Sequence, residues 1–499
     1  MSQRGDGKSD GFVVPEKPGN ESWRQEEDQV EGRRPAKENA PQFQGPRTQR
    51  RPMCPPQGLQ RIREAAERDR KLKFTTLWHH VYDPARLKES YFGLRRSAAA
   101  GVDGVTWEEY GEGLDGRLAA LSQRLARGSY RPAPVRRQYI PKAGGGLRPL
   151  GIPALEDKIV QRAVTEVLTC IYEIDFLGFS YGFRPGRSPH MALDALSVGL
   201  EQRKVNWVLD ADIRGFFDTI NHEWLIRFVE HRVADKRVIR TIQKWLKAGV
   251  LEEGRVASTE AGTPQGGIIS PLLANIYLHY VLDLWVEKWR KIAAGELIVV
   301  RYADDFVLGF QNEGDACRFR EELTARLEKF DLALHPDKTR LIQFGRYAAE
   351  RRARRGQRKP DTFDFLGFTH FCSRTKAGWF QVGRRTSRKR LAAKAAAVRE
   401  RLRRMMHLPI PVVGAWLGQV VNGHYAYFAV PGNQHALTAF RKRVVEAWRK
   451  ALSRRSQKGQ VSKYRITRIW RRFAPSPDIR HPYPSERFAV RIQGRSPVR

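Results

Sequence analysis

Residues 297–310 read LIVVRYADDFVLGF. A β-branched run leads to two adjacent carboxylates, Asp304 and Asp305, and a second apolar run leads away from them. This pattern predicts two strands joined by a tight turn that carries both aspartates. Adjacent like charges are unfavourable unless a cation lies beside them, and Mg²⁺ prefers carboxylate and phosphate oxygens. The stretch therefore suggests a metal site at a hairpin tip. The alternative is an exposed turn, since Asp is common in turns.

The charge of the whole chain points to a polyanionic partner. The 499 residues include 90 Lys and Arg against 54 Asp and Glu, a formal net charge of +36. A charge of this size favours nucleic acid as the partner. Residues 381–499 contain 28 Lys and Arg but only four acidic residues. We therefore expect carboxylate chemistry upstream of this region and nucleic-acid binding within it.

Cysteine spacing and hydropathy exclude several classes of protein. The four cysteines are widely separated, so neither a zinc site nor a disulfide framework is predicted, and a reducing compartment is expected. No run of about 18 apolar residues, the length that crosses a bilayer, occurs. We therefore expect no membrane partner.

Composition and periodicity divide the chain into three parts. Residues 1–56 are rich in Gly, Pro and charged side chains and are predicted to be disordered. Residues 57–380 alternate between helical and strand patterns, and residues 381–499 are helical and basic. Within the second part, the Arg-rich segment 346–359 is expected to be a mobile loop.

A second source of carboxylates lies upstream of the hairpin. Asp212 ends an apolar strand pattern, and Phe217 follows five residues later. If the two strand ends meet, Asp212 would lie beside Asp304 and Asp305, and three carboxylates could hold two metal ions for displacement at phosphorus. Asp210 shares the strand face of Asp212 and competes for this assignment. The spacing to Phe217 favours Asp212.

Three motifs resemble those of reverse transcriptases, and their order along the chain agrees with that family. YADD at 302–305 resembles the YxDD box, DIRGFFD at 212–218 resembles the first catalytic-Asp motif, and TPQGGIISP at 263–271 resembles the QGxxxSP loop. Further blocks resemble bacterial group II intron-encoded reverse transcriptase/maturases over about residues 70–490. These blocks are GVDG at 101–104, RPLGIP at 148–153, SYGFRP at 180–185, PDKT at 336–339, FLGF at 365–368 and a maturase-like segment at 414–437.

The resemblance implies a fold and a function. The implied fold is a multidomain α/β protein with a right-hand polymerase architecture: fingers and a palm with an antiparallel sheet over 57–380, then an α-helical thumb/maturase (X) domain and tail over 381–499. The implied function is an RNA-directed DNA polymerase that binds its group II intron RNA, assists splicing and copies the intron by target-primed reverse transcription.

Cofactors, partners and location follow from the same resemblance. The implied cofactors are two Mg²⁺ ions, with Mn²⁺ as a substitute. The implied partners are intron RNA, an RNA template with a DNA primer or target DNA, deoxynucleoside triphosphates and a second copy of the chain in a homodimer. The implied location is the bacterial cytoplasm, with the protein bound to nucleic acid of the nucleoid. No Cys pairs of a His-Asn-His endonuclease follow the maturase-like region, so target cleavage by this chain is not expected.

The resemblance also implies roles for single residues. The implied metal ligands and catalytic residues are Asp212, Asp304 and Asp305. The implied nucleotide contacts are Lys142, Arg148, Phe217, Gln265, Gly266 and Lys338. The implied RNA and DNA contacts are Arg184, Arg187, Arg388, Lys389, Arg390, Arg441, Lys442 and Arg443.

Plainer alternatives remain for several of these residues and for the function. Lys142 and Arg148 could lie on a solvated face, Phe217 could pack in the core, and Lys338 could be an ordinary surface lysine. The chain could be only an RNA-binding splicing cofactor with an inactive polymerase site, or a domesticated or defence-associated reverse transcriptase. The intact carboxylates and the QGG loop argue against the first of these.

Overall fold

The computed structural model describes residues 58–141, 146–252, 255–257, 262, 266–357, 359–455 and 459–492. The predicted disordered segment 1–56 lies outside the described residues. So do two of the predicted nucleotide contacts, Lys142 and Gln265.

The amino-terminal part of the described chain is a helical layer followed by a hairpin. Local signals set several helix starts, as where the Thr106 side chain and Glu109 form a capping box. The elements are α1 (Gln60–Arg68), α2 (His79–Tyr82), α3 (Pro84–Phe92), α4 (Trp107–Gly111), α5 (Leu114–Ala126), β1 (Val135–Pro141), β2 (Leu147–Ile152) and the largely buried α6 (Leu155–Asp175).

The middle part contains the first predicted catalytic strand and one long helix. That helix consists of α11, a five-residue π-helical segment (His279–Asp283) and α12. The elements are α7 (Pro189–Gln202), β3 (Trp207–Asp212), α8 (Phe216–Thr219), α9 (His222–Glu230), α10 (Lys236–Lys247), β4 (Val250–Glu252), β5 (Arg255–Ala257), α11 (Ser270–Leu278) and α12 (Leu284–Ile292).

The carboxyl-terminal part starts with the Asp-Asp hairpin and ends in helices. Its strands and intervening helices are β6 (Leu297–Tyr302), β7 (Asp305–Phe310), α13 (Glu313–Glu328), β8 (Arg340–Gln343), α14 (Ala348–Arg354), β9 (Phe363–Phe365), β10 (Phe368–Arg374) and β11 (Phe380–Thr386). Its final helices are α15 (Arg388–Arg404), α16 (Ile410–Phe428), α17 (Gln434–Ser453), α18 (Lys463–Trp470) and α19 (Pro484–Ile492). None of the described helices combines the length and the apolarity that crossing a membrane takes.

The central sheet has the strand order β6-β7-β3-β8, and every neighbouring pair is antiparallel. Its apolar residues alternate between two faces. Leu209 and Leu308 face the larger core, which the helices of the amino-terminal and middle parts complete, whereas Val208 and Val307 face a second core with α7 and β9–β11. Because both faces are buried, β6 and β7 carry near-continuous apolar runs, and the predicted hairpin at 297–310 is confirmed.

Two boundaries differ from those expected. The segment 346–359, expected to be a loop, contains α14, and Arg352 in it donates to Asp361 at 2.8 Å. The expected domain boundary at 380/381 falls at the start of β11, which pairs along its length with β10. A third core, formed by α15–α18, begins only at Leu391. The structural boundary therefore lies near Ser387, because hydrogen bonding of β11 keeps it with the preceding sheet.

Candidate active site

The turn between β6 and β7 consists of two residues, Ala303 and Asp304. Tyr302 and Asp305 face each other across the last pair of the hairpin. Ala303 has a φ of 58°, a left-handed conformation that residues with a side chain seldom adopt. Such strain costs on the order of 1–3 kcal/mol and persists where surrounding structure enforces it. The turn is therefore held in shape by its neighbours.

The antiparallel register brings the predicted carboxylates to one end of the central sheet. Asp212, the last residue of β3, lies opposite Asp305, the first residue of β7. Asp304 occupies the adjacent turn. Asp210 precedes Asp212 by two residues on β3 and lies opposite Val307 and Arg340. Its carboxylate accepts a 3.5 Å contact from the Arg340 guanidinium, so Asp210 already has a partner within the sheet.

Two carboxylates at this end of the sheet, those of Asp304 and Asp305, hold protons unusually well. Burial first, and then the negative charges of Asp304 and Asp212, together raise the pKa of Asp305 to about 7. Burial also raises the pKa of Asp304, with a smaller contribution from Asp212. Arg148 and Lys338 act in the opposite direction on Asp304 because they are positively charged. Part of both shifts comes from the negative charge of neighbouring carboxylates, which a divalent cation beside them would offset.

The same end of the sheet is not a preformed metal cluster. Among the described residues, no three His, Cys, Asp or Glu side chains are gathered closely enough to hold an ion. At Asp212, the Lys338 ammonium donates to Oδ2. The Lys338 side chain is 60% exposed, so it has room to adopt another rotamer that does not contact Asp212. A cation that used all three carboxylates would have to displace this ammonium from Asp212.

Two of the other predicted nucleotide contacts lie close to this end of the sheet. Arg148 is exposed on β2 and is near enough to Asp304 to affect its pKa. Phe217 is half-buried on α8, and its ring meets that of the buried Phe216 edge-on at 5.4 Å. Part of Phe217 is therefore exposed, whereas Phe216 packs in the core.

Gly266 occupies an exposed position, with a φ of 121° that favours glycine. A Cβ at this position would lie 2.6 Å from the carbonyl oxygen of Gly151 on β2. The close approach that requires glycine is therefore made to the protein's own hairpin. The expected approach to nucleotide or template does not explain this glycine by itself.

The structure argues against one predicted nucleic-acid contact, Arg184, and gives a second, the half-exposed Arg187, a partner within its own loop. Arg184 is 7% exposed, and it donates to both oxygens of Glu173 and to the carbonyls of Leu177 and Ser180. Arg187 donates to the Gly178 carbonyl at 2.7 Å and lies over the ring of Tyr181. Both guanidinium groups hold their own loop together, and Arg184 has no surface left for RNA or DNA.

The remaining predicted nucleic-acid contacts lie at the surface of the helical region. Five of them are exposed and Arg441 is half-exposed. They fall in two groups of adjacent residues, Arg388, Lys389 and Arg390 at the start of α15 and Arg441, Lys442 and Arg443 on α17.

A buried ion pair beneath the turn was not predicted from the sequence. Arg301 and Asp283 are both fully buried, and Arg301 donates to the two Asp283 oxygens at 2.7 and 2.6 Å. The same guanidinium donates to Asn275 Oδ1 at 3.1 Å and to the Ala303 carbonyl at 3.0 Å. Arg301 thus connects the strained turn to the long helix.

The π-helical segment and a glycine complete this support. Asp283 is the last residue of the π-helical segment, a type of local widening that is common at functional sites. Asn275 donates to the Gly182 carbonyl at 2.8 Å. A Cβ on Gly182 would overlap the backbone nitrogen of Ala303, so only glycine fits here. The available sequence signals were a lone Arg in a β-branched run and a lone Asp in an apolar helix.

Comparisons with known proteins agree with this geometry. The family described as "Reverse transcriptase (RNA-dependent DNA polymerase)" matches residues 140–370. Protein YkfC of Escherichia coli is 36% identical over 353 residues, which cover 64% of this chain and 88% of YkfC. The group II intron-encoded protein LtrA of Lactococcus lactis is 39% identical over 238 residues, which cover 47% of this chain and 39% of LtrA. A 91 kDa protein in the cob intron of Schizosaccharomyces pombe is 44% identical over 170 residues, 34% of this chain and 21% of that protein.

The matched segment contains β2, the central sheet and the Asp-Asp turn. A reverse transcriptase domain in this segment implies the fingers and palm of that fold, with mixed helices and antiparallel sheets. The chain spans most of YkfC but less than half of LtrA. This chain therefore belongs to the reverse transcriptase family, in the group that includes group II intron-encoded proteins.

Proposed function

We propose that this protein is an RNA-directed DNA polymerase whose reaction takes place at the Asp-Asp turn. The observation that carries the proposal is the register of the central sheet, in which Asp212 lies opposite Asp305 and beside Asp304. Three carboxylates at adjoining strand ends suit nucleotidyl transfer, because the triphosphate and the attacking hydroxyl both need cations near them.

The proposed metal ligands are Asp212, Asp304 and Asp305, which would hold two Mg²⁺ ions or Mn²⁺ in their place. When bound, such ions activate the attacking hydroxyl and stabilise charge on the phosphates. The raised pKa values of Asp304 and Asp305 reflect burial first and neighbouring carboxylates second, and they support this assignment because a bound cation would favour the charged form of each.

The other proposed contacts bind and orient the nucleotide. Arg148 would donate hydrogen bonds to the triphosphate, since a guanidinium matches phosphate oxygens in charge and geometry. The exposed part of Phe217 would pack against the sugar and select against a 2′-hydroxyl. Lys338 would leave Asp212 and deliver its proton to the departing pyrophosphate. Lys142 and Gln265 stay proposed contacts from the family resemblance.

The helical region over α15–α18 is proposed to be a thumb/maturase domain that grips RNA. Its exposed basic clusters on α15 and α17 support this proposal, because phosphate contacts dominate nucleic-acid affinity. The proposed RNA is group II intron RNA, by analogy with LtrA, whose name describes an intron-encoded protein. Splicing assistance, target-primed copying of the intron, a homodimer and a cytoplasmic, nucleoid-bound location belong to the same proposal.

Primer extension on an RNA template tests the proposed function. Purified protein, a DNA primer annealed to RNA, deoxynucleoside triphosphates and Mg²⁺ should yield complementary DNA, and omission of Mg²⁺ should stop synthesis. A matched reaction on a DNA template compares the two templates. Folded protein that binds RNA yet makes no complementary DNA would refute the enzyme and favour a splicing cofactor.

A further inference from the structure

An aromatic and basic surface lies on the outer edge of the protein, away from the Asp-Asp turn. We call it the outer face and define it by Tyr347, Arg351, Arg354, Lys376 and Trp379. Trp379 is 75% exposed and Tyr347 is 49% exposed, which is unusual for rings of this size. The Arg351 guanidinium lies over the Tyr347 ring at 6.0 Å.

Direct contacts join the two halves of the outer face. Arg374, at the end of β10, donates to Glu350 of α14 at 3.0 Å. The Cys372 thiol lies 3.7 Å from the Gly345 carbonyl, just before α14. Residues 347, 350, 351 and 354 share one side of a helix by their spacing. The side of α14 that carries Tyr347, Arg351 and Arg354 therefore adjoins the β10–β11 hairpin.

The β10–β11 hairpin presents Trp379 on a rigid tip. The backbone of Thr375 donates to the Trp379 carbonyl at 2.8 Å, and the backbone of Trp379 donates to Thr375 Oγ1 at 3.2 Å. Gly378, with a φ of 84°, makes the turn between them. A large ring held outside the core on a fixed turn loses little conformational entropy when a ligand packs on it.

The charge of the outer face is positive and largely unbalanced. Its two neighbouring acids are already paired, Glu350 with Arg374 and Asp361 with Arg352. Among the described residues, no carboxylate forms an ion pair with Arg354 or Lys376. A polyanion is therefore the ligand that fits this surface.

The outer face lies apart from the catalytic end of the sheet. Gly345, two residues before Tyr347, lies against the Val205 carbonyl just before β3 begins, whereas Asp212 is the last residue of β3. The six residues of β3 lie between these two points and span roughly 20 Å at about 3.3 Å per residue.

We propose that the outer face is a second RNA site that binds folded RNA other than the template–primer duplex at the catalytic turn. Trp379 stacks on an unpaired base, and Arg351, Arg354 and Lys376 contact the flanking phosphates. Unpaired bases on aromatic rings and phosphates on basic side chains are the usual components of single-strand recognition in folded RNA. The proposal rests on the proposed function only in that the protein acts on RNA.

The test compares two RNA probes with the full-length chain. One is a hairpin with an unpaired loop, carrying a photoreactive base in that loop, and the other is a blunt, fully paired duplex of the same length. Trp379→Ala should weaken binding of the loop probe about tenfold, the effect of one lost base stack, and leave the duplex unchanged. Trp379→Phe should retain most of the affinity. The loop base should crosslink to the peptide that contains Trp379.

A charge variant and a matched control complete the experiment. Arg354→Ala combined with Lys376→Ala should weaken binding of both probes. The slope of log affinity against log salt concentration should become less steep by about 1.5, the contribution of two phosphate contacts. Phe92→Ala, which removes a 57% exposed ring from α3, should leave both probes unchanged. All these variants should extend a short template–primer at the wild-type rate.

Three results would overturn the second site. They are loop affinity unchanged by Trp379→Ala, a crosslink elsewhere in the chain, and equal losses of loop binding and template–primer extension. The last would assign the outer face to the path of the copied duplex. Failure of the wild-type protein to extend a primer would refute the proposed polymerase, and it would leave the binding comparison intact.

Discussion

Replacing Gly182 with alanine should slow DNA synthesis while leaving the fold intact. The new Cβ would overlap the Ala303 backbone nitrogen and lie 3.0 Å from Ala303 Cα, where ordinary contacts are 3.4–4 Å. Neither atom belongs to a flexible side chain, so the Asp-Asp turn itself must move. The displacement is roughly 1 Å, and an error of that size in a reacting geometry costs about 100-fold in rate.

The assay is incorporation of one nucleotide into a primer on an RNA template, with rates measured at saturating substrate. Gly182→Ala should lower kcat by about 10- to 100-fold and change RNA affinity little, because the residue lies beneath the turn and not at an RNA contact. The free energy of unfolding should fall by about 1–3 kcal/mol, as expected for overpacking. Circular dichroism and urea unfolding separate this loss from the kinetic one.

Gly314→Ala is the matched control. Gly314 lies in α13, and a Cβ there would meet nothing within 4 Å. This variant should extend the primer at the wild-type rate. If Gly182→Ala also extends within about twofold of wild type, the turn is not held by the backbone contact described here, and the reasoning from a 1 Å displacement fails.

Three further predictions concern charged groups. Asp283→Asn leaves Arg301 buried without its counter-ion and should lower the free energy of unfolding by about 3–5 kcal/mol. The double variant Asp283→Leu with Arg301→Met should lose less of this free energy. An equal or larger loss in the double variant would refute the ion-pair argument. Lys338→Met removes the ammonium from Asp212 and should tighten binding of Mn²⁺ without nucleotide by up to about fivefold, measured by titration calorimetry; weaker binding would contradict it. Burial raises the pKa of Asp157 to about 6 from 3.8, so the folded state holds this proton more tightly. That stabilisation is complete below pH 4 and is lost as the pH rises through 6. Over this range the free energy of unfolding in urea should fall by up to about 3 kcal/mol relative to that of Asp157→Asn. Parallel pH profiles of the two proteins would refute this prediction.

The strands of the site were predictable because their signals are local. The β-branched runs on both sides of Asp304 and Asp305 indicated a hairpin, and an apolar run ending in Asp212 indicated a strand. Register was less directly readable, because both faces of the sheet are buried and a slip of one residue would only move Leu209 or Leu308 from the larger core to the second core. The order of the motifs then supplied the remaining link, that the two strand ends meet.

The supporting contacts were not predictable because they join residues distant in sequence. Nothing near Arg301 in the chain shows that its partner is Asp283 on a π-helical segment, and the strained Ala303 gives no signal of its own. Arg184 lies in a polar, aromatic loop, a composition that suggests exposure. Its side chain is nevertheless buried and forms an ion pair with Glu173 on the preceding helix. The alternation of apolar and polar residues along a strand shows which face a side chain occupies. It does not show which charged side chain lies next to it on that face.

The prediction of a mobile loop at 346–359 was wrong for a related reason. Its many arginines suggested a solvated segment, but Ala348 is buried and Glu350 is anchored by Arg374. The helix forms because the neighbouring β10–β11 hairpin provides a surface to pack on, which the segment's own composition does not reveal.

The most direct test of the central claim is RNA-templated primer extension by Asp304→Asn, measured together with RNA affinity. The substitution keeps the shape of the side chain and removes its charge at the tip of the turn. DNA synthesis should be abolished, while RNA affinity and the free energy of unfolding should stay near those of the wild-type protein. Synthesis at the wild-type rate, or equal loss of synthesis and RNA binding, would contradict the assignment of this turn as the catalytic site.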